Sequence, residues 1–420
     1  MKIGELTRTY GVSNQTIRYY VKMGLLIPET KEKQYVFNEQ SRKDLELILK
    51  LKKFDLSLSD IHRILSLNRI SHFVSREDRD TYRSILHDKL AEIEREENRL
   101  QAVAGDIREE LRRELESERS SMAESRKTRG ISLRFLPYLY CPHCNTPLNI
   151  SDMQISQLEV HSARLHCDCG YSARIDNGIL YSDQGQPSPD EVVDVERRFY
   201  KDSPPPVINL HQKSYNWITK QIQHMDLTDK IVLEPLINTC CYLFTNIHRL
   251  NSKALYIITD KHAAPIEHYK SLFESMGLDV DILFLVDASL QYPLKKGIVD
   301  LCIDDTSTVE YAAYESQSTL FDELRPYLHS RTHWVGVFHY FDIKSKSYRK
   351  FVEKYPLAQK VCYDLAEFNR YMRSKPVQLL DDEIIGSVDQ SGEGIITFSF
   401  HIPGDSLSWY AFHYKLNLSE

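Results

Sequence analysis

Apolar positions recur at helical spacing on either side of an early breaker. Ile3–Tyr10 makes one short amphipathic pattern, Gly11-Val12-Ser13 reads as a turn, and Ser13 stands where it can N-cap a second helix, Asn14 to Lys22. On that spacing Val12, Ile17 and Tyr20 face a core, which leaves Asn14, Gln15, Thr16, Arg18, Tyr19 and Lys22 on the outer face. After Gly24-Leu25-Leu26-Ile27-Pro28 the chain alternates through Lys31, Lys33 and Tyr35 to Phe37, the pattern of a small β-wing. From Ser75 to about Ser121 the chain is highly charged, with Gly105 among its few breakers, and Leu86, Ile93, Leu100 and Ile107 recur every seven residues. Leu90, Ala104 and Leu111 hold the complementary positions, with Glu97 as the polar exception. This is the seam of a two-stranded coiled coil or the face of one helix packed on another domain.

Further on the pattern changes. Cys141-Pro-His-Cys144 and Cys167-Asp-Cys169-Gly170 flank strand-like alternation at Leu158–His161 and Ala163–His166. Two cysteine turns at hairpin ends suit a closed, structural tetrahedral zinc with thiolates at ~2.3 Å. The shorter second pair leaves His143, His161 or His166 as substitutes for one thiolate, and a redox role for Cys141 and Cys144 is the alternative. Ser182 to Pro206, rich in Asp, Pro and Gln, reads as a linker. Beyond it, buried strands are expected at Lys230–Glu234, Ala254–Asp260, Asp281–Val286, Val299–Asp304 and Thr332–Phe338, with helices between them, among others at Ala264–Ser275 and Thr319–Leu328. Late antiparallel strands are expected at Gly394–His401 and Ser408–Tyr414. The alternation predicts a doubly wound α/β sheet, with a ligand cleft at the C-terminal ends of its strands.

At 420 residues, 42% hydrophobic and 27% charged, the chain is expected to fold as a multidomain globular protein. No stretch reaches the ~18–20 apolar residues of a membrane span, and Met1-Lys2-Ile3-Gly4-Glu5 lacks a signal-peptide core, so a cytoplasmic location without membrane contact is expected. In a reducing compartment the clustered cysteines point to metal, whereas Cys240, Cys241, Cys302 and Cys362 sit among apolar residues like buried thiols. The net charge of −7 conceals an asymmetry: residues 1–75 carry 13 Lys and Arg against 8 Asp and Glu. Only that end suits a polyanion. A second helix after a turn, used as a DNA reader, lies in the major groove, so its outer residues, with Lys31, Lys33 and Tyr35 of the wing, are candidate base and phosphate contacts.

Ile3-Gly4-Glu5-Leu6, Gly11-Val12-Ser13, Thr16-Ile17-Arg18-Tyr19-Tyr20 and Gly24-Leu25-Leu26-Ile27-Pro28 together resemble the N-terminal signature of the MerR family of transcription regulators. The likeness continues through Asp44–Ile48 and Ser57–Ile61. It departs at Val21, where the family usually has an acid, and at Gln34 and Val36, which replace a Gly and an Arg beside the wing tyrosine. It implies a winged helix-turn-helix over residues 1–72, a long dimerisation helix over 75–125 that pairs antiparallel with a second copy, promoter DNA with a palindromic operator, and action with RNA polymerase.

Residues 131–185 resemble a zinc ribbon. Residues 207–420 are similar in order to class I S-adenosylmethionine-dependent methyltransferases, through Val232-Leu233-Glu234-Pro235, Asp260, Asp287-Ala288 and Val299-Asp300. The resemblance implies a cleft bounded by Glu234, Asn238, Asp260 and Asp287. The family's glycine-rich first motif stands here as Glu234-Pro235-Leu236-Ile237-Asn238-Thr239-Cys240, and side chains where the cofactor needs bare backbone are expected to prevent S-adenosylmethionine binding and catalysis. The expectation is therefore a DNA-binding regulator whose non-catalytic methyltransferase-like domain senses a small-molecule effector. The alternatives are an active methyltransferase brought to nucleic acid by its helix-turn-helix, and a constitutive architectural dimer.

Overall fold

The computed structural model describes residues 1–31, 34–123, 128–182, 184–187, 191, 193–194, 201–237, 240–314, 318–389 and 400–417, with backbone alone over 117–123. They divide into two compact units, Met1–Ala123 and Glu124–Glu420.

In the first unit α1 (Ile3–Tyr10) and α2 (Asn14–Lys22) precede a two-stranded wing of β1 (Glu29–Lys31) and β2 (Gln34–Val36), then α3 (Glu39–Lys53), α4 (Leu58–Ser71) and α5 (Arg76–Ala123). Gly11 ends α1 with a φ of 67°, and the Ser13 hydroxyl oxygen accepts the N–H of Thr16 at 3.0 Å to start α2. Leu6, Ile17, Leu45, Ile48, Ile61, Ile64 and Leu65 are fully buried in one core. A buried ion pair spans it: Arg69 meets Asp44 at 2.7 Å and also donates to the carbonyl of Leu25 at 2.6 Å. One guanidinium thus holds α4, α3 and the loop after α2 together. The 48 residues of α5 run about 72 Å at the helical rise of about 1.5 Å per residue.

The second unit is built on a 12-stranded mixed sheet. Its centre is five parallel strands, β8 (Ile231–Glu234), β9 (Leu255–Asp260), β10 (Asp281–Val286), β11 (Val299–Asp305) and β12 (Leu328–Phe341), in the order β10-β9-β8-β11-β12. The chain winds outward from β8 to β10, returns to β8's other side as β11, and continues outward. That doubly wound order was expected, and its switch point lies between β8 and β11. Two antiparallel strands, β14 (Leu407–Leu416) and then β13 (Val377–Val388), extend the β12 side. On the other side, β7 (Ile179–Ser182) pairs in parallel with β10 and carries the antiparallel strands β6 (Ser172–Asp176), β5 (Glu159–His166), β4 (Asn149–Ser156) and β3 (Ile131–Ser132). The β6–β7 turn, Asn177-Gly178, has φ values of 47° and 68°, and a Cβ at Gly178 would lie 2.1 Å from the Arg129 carbonyl oxygen. Only glycine satisfies both demands.

Three expectations need correction. Helix Thr319–Leu328 is limited to Leu320–Leu324; a 3-10 turn holding Pro326 follows, and Leu328 already pairs with Val299 as β12. The expected strand Thr332–Phe338 is part of the longer β12, held on one side by β11 and on the other by β14. The linker ends earlier than Pro206: helix α6 (Pro205–Ile222) starts inside the proline run, where a missing N–H does no harm. The strand expected at Gly394–His401 falls on residues outside those described except Phe400 and His401.

Candidate functional site

On α2, Asn14, Gln15, Arg18, Tyr19 and Lys22 are exposed, while Ile17 and Tyr20 are buried beneath them. Thr16 is half-buried, and its hydroxyl lies 2.8 Å from that of Ser13, so it belongs to the cap as much as to the outer face. Lys31 is exposed beside Glu29 at 3.5 Å, and Tyr35 stands out from β2. Lys33 lies outside the described residues. Together, the outer face of α2 and the wing offer cations, amides and aromatic edges over a rigid core. Along α5 a second surface stands open: Leu90, Ile93, Leu100, Ile107 and Leu111 are each about half exposed.

All four clustered cysteines converge. Cys141 and Cys169 bring their sulfurs to 3.4 Å, Cys144 and Cys167 theirs to 3.3 Å, and the four lie within 4.8 Å of one another. A disulfide would need about 2 Å. Four thiolates on one tetrahedral ion sit roughly 3.8 Å apart, so the donor set fits a metal ion. The backbone N–H of Cys169 and the Thr146 hydroxyl draw the Cys167 thiol down to about 6, whereas burial pushes the Cys141 thiol up to about 12, so the convergence of the four sulfurs carries the metal reading. Among the described residues no histidine joins the set, and the His143 ring lies edge-on against Tyr171 instead.

In the α/β cleft the expected carboxylates are turned to the backbone. Glu234 ends β8 fully buried and accepts the N–H groups of Tyr242 and Leu243 at 2.6 and 2.8 Å, and burial raises it to about 8. Asp260 accepts the N–H of His262 at 2.8 Å, and Asp287 accepts both the N–H and hydroxyl of Ser289. Asn238 lies outside the described residues. Leu236 keeps a left-handed φ of 52° although it is not glycine, and its side chain is buried. Beside it Glu191 pairs with Lys261 at 2.8 Å and His262 at 2.9 Å. The cavity lined by Glu191, Leu236, Asp260, His262 and Tyr311 holds about 10 Å³, room for one water.

The sequence reading missed a second convergence: His211 of α6, Cys240 after β8 and Asp305 at the end of β11 bring ligand atoms within 4.8 Å of one another. They lie far apart along the chain, so no local spacing announces them. The one hint was the acid pair Asp304-Asp305 closing an apolar strand.

No helix among the described residues is long and apolar enough to cross a membrane. Comparison with solved structures finds loose likenesses to the second half. One is the MccD protein, at a TM-score of 0.37 and 9% identity over 48% of this chain and 96% of that one. Another is geranyl diphosphate C-methyltransferase of Streptomyces coelicolor, at 0.38 and 11% over 57% of this chain and 89% of that one. The strand order, not these scores, carries the fold assignment. Among curated proteins, the chain is 37% identical over 73 residues to an HTH-type transcriptional regulator ZntR homolog of Haemophilus influenzae, covering 17% of this chain and 54% of the relative. It is 35% identical over 68 residues to the mercuric resistance operon regulatory protein of Bacillus cereus, covering 16% of this chain and 52% of the relative. The chain thus spans about half the length of the curated relatives it matches. The family model for MerR HTH family regulatory proteins matches residues 1–68, and the N-terminal part of this chain is a MerR-family helix-turn-helix.

Proposed function

We propose that the protein is a homodimeric transcription regulator that reads promoter DNA with α2 and the wing and acts on RNA polymerase there. The carrying observation is the exposed row Asn14, Gln15, Arg18, Tyr19 and Lys22 on a buried-faced helix inside the matched family segment. Thr16, Lys31, Lys33 and Tyr35 complete the contact set, the two wing lysines as phosphate partners. The half-exposed heptad residues of α5 support dimerisation, since so long an apolar stripe calls for a partner helix. Two-fold symmetry then calls for a palindromic operator.

In this reading the four cysteines hold a structural zinc, with thiolates and a closed coordination shell that leave no place for substrate. The α/β unit is a non-catalytic sensor of a small ligand at the strand ends. Support for non-catalysis comes from buried Leu236 and from the Glu191 pairs, which occupy the space around Asp260 and leave about 10 Å³ where a drug-sized ligand needs about 300 Å³ or more, so a sensed ligand enters only if the Glu191 pairs open.

The test is a gel-shift series on palindromic duplexes with the full-length protein. With some 6–10 phosphates neutralised, affinity should fall about 10³–10⁵-fold between 50 and 200 mM salt. Arg18→Ala should weaken specific binding at least tenfold with folding unchanged. Binding that ignores salt, or an Arg18→Ala protein that binds like the parent, removes the DNA-reading role.

A further inference from the structure

We propose that His211, Cys240 and Asp305 form a second metal site in the α/β unit, taking one borderline divalent ion of the zinc type with its fourth coordination position open. The proposal concerns metal binding alone and stands whether or not the chain regulates transcription.

Position is the first argument. β8 and β11 are neighbours at the point where the winding reverses, and the crevice beyond their C-terminal ends is where open α/β sheets take ligands. Asp305 is the last residue of β11, Cys240 follows the turn out of β8, and His211 comes from α6. The sheet brings three separate segments to one point.

Chemistry is the second. One thiolate, one imidazole and one carboxylate make a mixed set matched to zinc and its neighbours, not to magnesium or calcium, which take oxygen. Around a tetrahedral zinc such donors stand roughly 3.3–3.6 Å apart, so a cluster within 4.8 Å closes onto an ion by rotations of its side chains. A nucleophile–imidazole–acid relay is a different shape. There the outer groups sit on opposite sides of the ring, separated by the ring and two hydrogen bonds, on the order of 7 Å. All three pairs here are closer than that, so the arrangement converges on a point instead of running in a line.

Charge is the third. Asp305 is buried; Tyr215 donates its hydroxyl to Oδ2 at 2.7 Å, but Oδ1 has no hydrogen-bond partner among the described residues. No Lys or Arg among the described residues forms an ion pair with Asp305, which closes β11 in the buried interior. A divalent ion would supply the missing partner for Oδ1 and balance the charge of that carboxylate.

The experiment uses full-length protein stripped of loosely held metal, reloaded with Zn²⁺, desalted, and assayed for metal per chain. The parent should hold two equivalents. Cys240→Ser and Asp305→Asn should each hold one, the latter keeping an acceptor for Tyr215, and Cys167→Ser should retain the α/β equivalent. A parent with one equivalent, all of it lost in Cys167→Ser, overturns the proposal, as does a Cys240→Ser protein that still holds two. Cobalt gives a readout that needs no folded variant of the α/β unit. Titrating the parent with Co²⁺ should give thiolate-to-cobalt charge-transfer absorbance in two phases, the one-thiolate phase about a quarter as intense as the four-thiolate phase. A single phase ending at one equivalent also overturns it.

Discussion

Leu236 carries two opposed contributions. Its φ of 52° costs an L-residue about 1–2 kcal/mol, while its buried side chain packs in the cleft beside Asp260. Replacing a buried Leu by a small residue typically costs about 2–5 kcal/mol, so Leu236→Gly should lose about 2 kcal/mol net in urea unfolding while enlarging the cavity. A Gly variant more stable than the parent would mean that the side chain packs nothing. His413, nearly buried on β14 beside His333 at 2.8 Å, gives a pH signature. Burial, then the His333 ring, lowers it from 6.5 to about 4. The unfolded imidazole takes up a proton near pH 6.5 and the folded one only near 4. Its contribution is therefore complete above pH 6.5 and is lost as pH falls to about 4, about 3 kcal/mol at about 1.36 kcal/mol per unit. His413→Gln should flatten the stability profile in that window, and a profile unchanged by the substitution would refute the assignment. Leu236 in place of glycine was legible in the sequence because a glycine's role is local. The Glu191 pairs and the His211–Cys240–Asp305 convergence were not, because each joins residues that only the folded sheet brings together.

At the scale of elements, α5 was the most legible, since a seven-residue repeat survives in sequence whatever the helix packs against. Its flanks carry intrahelical ion pairs such as Arg99–Glu96 and Arg112–Glu109, each at 2.7 Å, which support a long exposed helix, while the apolar stripe stays half exposed among the described residues. In the proposed dimer, Leu100→Glu would place a charge in the middle of the seam on both copies. Sedimentation should then show a monomer, or a dimer weakened at least a hundredfold, with helicity by circular dichroism nearly unchanged. A parent that sediments as a monomer, or a Leu100→Glu protein that sediments like a dimeric parent, would mean that α5 is not the interface. The elements missed were those whose pattern is masked. β13 at the sheet edge has most of its side chains exposed from Gln378 to Glu383, so it lacks the in–out alternation that reveals a half-buried strand. The start of α6 hides in a run of prolines that reads as a linker until the helix after it is seen to bury Val207, Leu210, Tyr215, Ile218 and Ile222.

For the whole molecule the telling fact is that the two units have separate hydrophobic cores, one around Leu6, Ile48 and Ile64, the other running from Ile131 through the entire large sheet. The strands between and after the cysteine pairs belong to the second: Leu165, Ala173, Ile175 and Leu180 lie in the same cluster as Ile257 and Leu285, and β7 is hydrogen-bonded to β10. Cysteine spacing announced that the two pairs would converge but could not announce the β7–β10 pairing, which depends on the register of two strands about a hundred residues apart. A metal ion held by the four cysteines would therefore stabilise a fold that includes the α/β sheet, and its removal should be felt there and not in the helix-turn-helix. The sequence supplies a clean probe, because its three tryptophans, Trp217, Trp334 and Trp409, are all buried in the second unit. Heating should give tryptophan fluorescence a transition of its own, distinct from the helical signal of Met1–Ala123. Strong chelation, or Cys167→Ser, should lower the tryptophan transition by roughly 10 °C or more, because structural zinc contributes many kcal/mol and a domain of this size shifts about 2–4 °C per kcal/mol. The helical transition of the first unit should stay within about 2 °C, since none of its core side chains belongs to the cluster that holds the cysteines. A tryptophan transition indifferent to both chelation and Cys167→Ser would show that the cysteine cluster bears no structural metal, and a shift shared equally by both transitions would show that the two cores do not melt independently.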